Sequence, residues 1–197
     1  TKRGLRDRAA ELFVNVLRVN PEHAEAHYEM ARYLQLRKNY DGALFHSTRA
    51  VQCRDDYLAA RILQYQVMAA KGQPKMALQL VSLVLQDHPA VAEAHFFLGL
   101  MQQRLGQPPE RAIASYRQAL KLQPDYPEAN FNLASILVLT GDFLQAEDCY
   151  RLALQQKPNW SQAEGRLAWV IAGGPMLTPQ RALEAVLGRR PVRAGRA

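Results

Sequence analysis

The chain has 197 residues, 48% of them hydrophobic and 22% charged, with a formal net charge of +7. That balance belongs to a folded protein rather than a disordered tail, and the longest apolar runs, such as LASILVL from Leu133 to Leu139, are far too short to insert into a bilayer. The charge does not describe a basic nucleic-acid surface: from Ala24 to Trp160 there are 14 Lys and Arg against 13 Asp and Glu, and the largest excess, six against two, lies beyond Trp160.

In chain order, GLRDRAAELFVNVLRVNP (Gly4 to Pro21) spaces its apolar residues for a helix and ends on proline. EAHYEMA then begins at Glu25, returns as EAHFFLG at Glu93, and comes again as EANFNLA at Glu128. A fixed repeat with a period of about 34 residues follows. Its full units run over 24–57, 58–91, 92–126 and 127–160, three of equal length and the third longer by a single residue. Each unit predicts a helix, a breaker (KN at Lys38, KGQP at Lys71, GQPP at Gly106, TGD at Thr140) and a second helix. The second helices carry small residues at matched places, Ala43, Ala77, Ala112 and Ala146, then Ala50, Val84, Ala119 and Ala153 two turns later. Small side chains at that spacing let two helices approach closely. Pro89, Pro124 and Pro158 stop three of these helices, with Asp55 in the remaining unit.

After Trp160, SQAEGRLAWVIAGG predicts a further first helix ended by Gly173 and Gly174. Thr178 and Pro179 then open a short helix, RALEAVLG, that closes at Gly188. This pair, 161–188, reads as a divergent cap over the apolar face of the last full unit, and 189–197, with Arg189, Arg190, Arg193 and Arg196, reads as a basic flexible tail. An acidic partner or a membrane surface is the sharper reading of that tail.

These residues resemble the tetratricopeptide repeat. In the unit from Pro127, Asn130, Leu133, Ala134, Leu137 and Gly141 fall on the signature, followed by Ala146, Tyr150, Ala153 and Pro158. The unit from Ala92 matches through His95, Leu98, Gly99, Ala112, Tyr116, Ala119 and Pro124, whereas the unit from Leu58 has Gln64 and Tyr65 in place of the Leu-Gly pair. Residues 1–23 fit the second helix of a partial repeat, with Gly4, Ala9, Phe13, Val16 and Pro21 in register, as expected of a fragment of a longer chain. LAWVIA is similar to the endings of bacterial members. The resemblance implies an all-α, right-handed α-solenoid of helix-turn-helix units over 1–188, with a noncatalytic role as a protein-interaction scaffold.

It also implies where a peptide or partner protein lies: on the concave face built by the first helices. Tyr28, Ile62, Phe96 and Phe131 occupy one stripe of that face, and Arg32, Gln66, Leu100 and Ser135 the next, with Arg104 further along. An apolar strip flanked by a few polar groups suits an extended or helical peptide, with Arg32 and Arg104 placed to fix an acidic or polar group. The bland reading of the same aromatics is packing against the neighbouring unit.

Two narrower family functions do not fit. At the places where chaperone-binding members carry a carboxylate clamp, this chain has residues such as Tyr28, Leu63, Glu93 and Phe97. The asparagine ladder of glycosyltransferase-linked members is reduced to Asn132, beside Glu29, Leu63 and Phe97. Nor do Tyr28, Ile62, Phe96 and Phe131 form a hydrogen-bonding code for RNA, which leaves only unspecific stacking open.

No GxSxG, Gly-rich phosphate loop or HExxH is present, so no enzyme, cofactor or metal site is expected. Cys53 and Cys149 stand without CxxC spacing and read as buried or half-buried thiols. His23 and His27 are four apart, but His23 falls in a turn. His27 and His95 read as bulky fourth residues of the repeat, while His46 and His88 have no partner legible in the sequence. A soluble protein is expected, cytoplasmic in preference to periplasmic. Two other readings stay open: a regulatory or substrate-recruiting arm of a larger enzyme such as a glycosyltransferase, and a homo-oligomeric structural subunit built on the first helix.

Overall fold

The computed structural model describes residues 2–173. The predicted helix at Thr178 to Gly188 and the basic tail from Arg189 lie outside the described residues. Among the described residues there are ten α-helices and no strand. The helices fall into two compact units, one ending at Gln107 and the other beginning at Pro108.

The first unit holds α1 (Lys2–Val19), α2 (Ala24–Leu36), α3 (Tyr40–Cys53), α4 (Leu58–Ala70), α5 (Pro74–Asp87) and α6 (Ala92–Arg104). Each helix packs on its neighbour in sequence, and α2 also reaches α4. Ala31 of α2, Ala43 of α3 and Leu63 and Val67 of α4 form one buried cluster, with Tyr28, Leu34, Tyr40 and Leu44 around it. Tyr65, Val81, Val84 and Ala94 form the next, across α4, α5 and α6. Tyr65 stands where the signature asks for a small residue, and its ring is fully buried, 4.5 Å from that of Phe97.

The second unit holds α7 (Pro109–Leu122), α8 (Pro127–Thr140), α9 (Phe143–Gln156) and α10 (Ser161–Ile171). Proline opens α7 and α8, as it opens α5 in the first unit, at the helical position where a missing N–H costs nothing. In both units the small residues are the contact points: Ala43, Ala50, Ala77, Ala112, Ala119, Ala146 and Ala153 are all buried. Tyr116 and Tyr150 fill the grooves beside them.

The recurrent histidine of EAHYEMA and EAHFFLG has a defined task. Two residues beyond each of α1, α3, α5 and α7, in the turn before the next helix, a backbone carbonyl lies outside the helical ladder. His27 Nε2 donates to the Pro21 carbonyl and His95 Nε2 to that of Pro89, both at 2.9 Å. In the unit from Leu58 the fourth residue is Arg61, which donates from Nε and Nη2 to the Asp55 carbonyl at 3.2 and 3.0 Å. In the unit from Pro127, Asn130 donates to Gln156, which donates to the Pro124 carbonyl at 2.8 Å. Different side chains thus serve the matching carbonyl of each unit.

His23 is the N-cap of α2, its Nδ1 accepting from the Ala26 N–H at 3.2 Å, so it is not paired with His27 on one metal. The expectation that His46 lacks a partner is corrected: His46 Nδ1 lies 2.9 Å from His27 Nδ1. Because the Pro21 carbonyl can only accept, His27 donates to it from Nε2, and with both rings neutral His46 Nδ1 is then the donor to His27 Nδ1.

Candidate functional site: the first-helix face

On α2, Tyr28 lies half-buried with its ring 5.2 Å from that of Tyr57, and the Arg54 guanidinium sits 3.7 Å over Tyr57. Glu25 holds Arg54 at 2.6 Å. One turn along α2, the Arg32 guanidinium is 5.7 Å from the centre of the Tyr28 ring and pairs with Glu29 at 3.0 Å. The pair Arg32–Glu29 is half-exposed, so it restrains the guanidinium without neutralising it strongly.

α4 faces this edge with Ile62 and, one turn further, Gln66, whose Nε2 donates to Glu93 of α6 at 2.7 Å. Tyr28, Arg32, Ile62 and Gln66 line a single open cavity of about 230 Å³ floored by Ala59 and Leu63, with Glu93 closing one side. Ligand and cofactor pockets usually start near ~300 Å³ and enclose their occupant. This one is smaller and open, the size for one or two side chains of a chain lying across it.

The other predicted residues are placed differently. Leu100 of α6 packs on the cluster of Ala69, Ala77 and Met101. Arg104 is exposed and reaches back to the Ala69 carbonyl at 3.5 Å, near the last turn of α4, where a cation is favoured. Phe96 is half-buried on α6. In the second unit, Phe131 is only 9% exposed, its ring 4.6 Å from Trp160 and 5.5 Å from Tyr150. Ser135 Oγ donates to the Phe131 carbonyl at 2.9 Å and meets the Tyr150 hydroxyl at 3.0 Å. Lys157 over Trp160, paired with Glu128 at 2.8 Å, repeats the arrangement of Arg54, Tyr57 and Glu25. Phe131 is thus packed among Trp160 and Tyr150, whereas Tyr28 lines the open cavity.

Among the described residues no three His, Cys, Asp or Glu side chains gather to hold a metal ion. Burial pushes the Cys149 thiol up to about 11, away from the range of a reactive thiolate. No described helix is long and apolar enough to cross a membrane. The residues that sequence reasoning missed are Glu93 as a wall of the cavity and a second depression between α1 and α2, lined by Arg6, Tyr33 and Leu36.

Comparison with known proteins identifies the repeat family and its fold. The family model described as tetratricopeptide repeat matches residues 2–57 and 102–163, and the chain belongs to that family. The unmatched stretch contains Gln64 and Tyr65, where the signature Leu-Gly is lost. Among solved structures, TTC0263, a thermophilic TPR protein of Thermus thermophilus, is 28% identical, with a TM-score of 0.67 over 86% of this chain and 92% of that one. YrrB, described as a TPR protein with an unusual peptide-binding site, is 20% identical, with a TM-score of 0.69 over 90% of this chain and 92% of its own. The fold class is an all-α helical-repeat solenoid. A curated relative, the probable biofilm formation methyltransferase WspC of Pseudomonas putida, is 33% identical over 79 residues, which cover 40% of this chain and 18% of the relative.

Proposed function

We propose that this chain is a noncatalytic protein-interaction scaffold that takes a peptide segment of a partner across the first-helix face of α2, α4 and α6. The observation that carries the reading is the convergence of Tyr28, Arg32, Ile62 and Gln66, from two helices, on one open cavity. An apolar side chain of the peptide enters between Tyr28 and Ile62, and its backbone or a polar neighbour meets Arg32 and Gln66, the pattern of a groove with alternating pockets and polar anchors. The peptide-binding description of YrrB supports the reading by analogy of fold.

A second reading, that this solenoid is the recruiting arm of a larger enzyme, is favoured by the methyltransferase relative. One experiment addresses both. Benzoylphenylalanine is placed at Gln66, and separately at Phe45, which is 61% exposed on α3, in the native polypeptide in its source cell. Irradiation is expected to give a discrete crosslinked partner at position 66 and none at 45, and Ile62→Ala should lower that yield roughly tenfold with unchanged circular dichroism. Equal crosslinking at both positions, or indifference to Ile62→Ala, rejects the groove. The size of the uncrosslinked native polypeptide on the same blot decides the second reading: one no longer than this chain rejects it.

A further inference from the structure

The glutamate that opens EAHYEMA, EAHFFLG and EANFNLA recurs at one place of the repeat, as Glu25, Glu93 and Glu128. In two copies it is neutralised from within its own repeat. Glu25 pairs with Arg54 at 2.6 Å and Glu128 with Lys157 at 2.8 Å, and each cation is the residue that caps the second helix. The matching cap in the repeat from Ala92 is Gln123, whose amide donates to the Asp125 carbonyl at 3.0 Å. In the repeat from Leu58 the cap is His88, and the place of the glutamate is taken by Ala59. Glu93 therefore differs from its two counterparts: among the described residues it has no ion-pair partner, and its carboxylate accepts from a neutral group, the Gln66 amide, at 2.7 Å.

That carboxylate is exposed on the wall of the cavity that Tyr28 and Ile62 line. The cations around the first-helix face are already engaged. Arg32 gives Nη1 to both oxygens of Glu29, at 3.0 and 3.2 Å. Arg61 of α4 is shared between Asp55 and Asp87, and Arg104, at the far end of α6, turns to the Ala69 carbonyl. The charge left over at the cavity is thus negative. An acidic ligand would have to take Arg32 from Glu29, whereas a basic one displaces no ion pair. Beside apolar walls that carry little water, a carboxylate attracts a cation more strongly than it does in the open.

We propose, resting on the groove reading above, that the peptide is basic beside its apolar anchor. A Lys or Arg two residues from the side chain seated between Tyr28 and Ile62 pairs with Glu93, and the side-chain oxygen of Gln66 accepts a second N–H from it. Alternate side chains of an extended chain share a face at a spacing of about 7 Å. The anchor at Ile62 and a long basic side chain at Glu93 fit successive positions on that face. The chain as a whole carries +7, so its long-range field favours acidic peptides, and a basic preference is the signature of the local carboxylate.

The test displays nonapeptides on beads, with Leu at the centre and every other position randomised, and sorts them for binding of the fluorescently labelled whole chain in about 0.15 M salt. A matched library with Ser at the centre shows which binding depends on the anchor. Lys and Arg are expected to be enriched about fivefold or more at a position two residues from the Leu. Glu93→Gln should abolish that enrichment while Leu-dependent binding remains, and Glu93→Lys should turn it toward Asp and Glu. A selected basic peptide, synthesised and labelled, should bind Glu93→Gln about tenfold more weakly by fluorescence anisotropy. Glu110→Gln, at an exposed position of α7, is the control for loss of a negative charge elsewhere, and circular dichroism checks the fold of each variant. Leu-dependent selection without a basic preference, or with enrichment of Asp and Glu, overturns the proposal and leaves the groove standing. A basic preference that survives Glu93→Gln overturns it as well. Absence of Leu-dependent selection, or selection indifferent to Ile62→Ala, overturns the groove reading and the proposal with it.

Discussion

At the scale of single residues, the chain solves one problem in several ways. The carbonyl left open after each second helix is met by His27, Arg61, His95 or the Asn130–Gln156 pair. At His27 the solution recruits a further titratable group, His46, and that pair gives the fold a pH dependence. Burial, and next the neighbouring His27, hold the His46 ring below its ordinary value of 6.5. The unfolded chain then binds the proton more readily than the folded one, so the stability from the neutral pair is complete above 6.5 and drains away as pH falls through the lowered folded value. Glu25, held down first by a backbone hydrogen bond, and Glu128, held down first by Lys157, lose their contributions only below 4.5. The urea midpoint should therefore fall between pH 7 and about 5. His46→Leu, the residue the next unit carries at this place as Leu80, should flatten that slope while lowering the midpoint at pH 7. A slope unchanged in the variant rejects the assignment. The sequence showed that bulk recurs at His27, but the partner was illegible because it is 19 residues away, and only the closed hairpin brings it near.

At the scale of the helical elements, the turns between first and second helices are one motif written with unequal residues. Lys38, Gly72, Gly106 and Gly141 hold the same register and all have positive φ, 59°, 84°, 62° and 84°. The residue after each donates to the fifth carbonyl back, Asn39 to Leu34, Gln73 to Met68, Gln107 to Gln102 and Asp142 to Leu137, closing the end of the helix. Three of the four use glycine, for which this conformation is free, and Lys38 carries the strain of a side chain there. Lys38→Gly should raise stability by about 0.5–1 kcal/mol and Gly141→Ala should lower it by about 1 kcal/mol. A Cβ at Gly141 meets nothing within 4 Å, so the loss would be conformational rather than steric. Equal denaturation midpoints for Lys38→Gly and the unaltered chain would show the turn to be unstrained. The breakers KN, KGQP, GQPP and TGD were readable as turns from composition alone; that KN does the work of glycine follows only from the register.

At the scale of the whole molecule, the two compact units give separate spectroscopic reports. Both tryptophans of the chain, Trp160 and Trp169, lie in the second unit, whereas helical circular dichroism reports on both. In repeat proteins each element touches only its neighbours, so local damage need not spread through the chain. Tyr150 is buried on α9, with its hydroxyl at Ser135 and its ring at Phe131. Tyr150→Ala should cost about 3–5 kcal/mol and move the tryptophan fluorescence midpoint in urea below the midpoint of circular dichroism. Val67→Ala in the first unit should displace the two in the opposite order. Coincident transitions in both variants would show one cooperative block.

In the sequence alone, the repeat period, the breakers and the small residues at matched places predicted repeated helix hairpins, and the resemblance to the tetratricopeptide repeat implied that they stack as an all-α solenoid. The sequence also marked the first-helix stripe as a surface of interest. It did not separate Phe131, sealed under Trp160, from Tyr28, which keeps an open edge, since the two hold the same register and differ only in what folds over them. Nor did it show that Arg6, Tyr33 and Leu36 share a cleft, because those residues belong to two helices and the repeat pattern treats each helix alone. Periodicity is a local property of the chain and survives in the sequence; which faces are covered is a property of the packed whole, and the tertiary structure decides it.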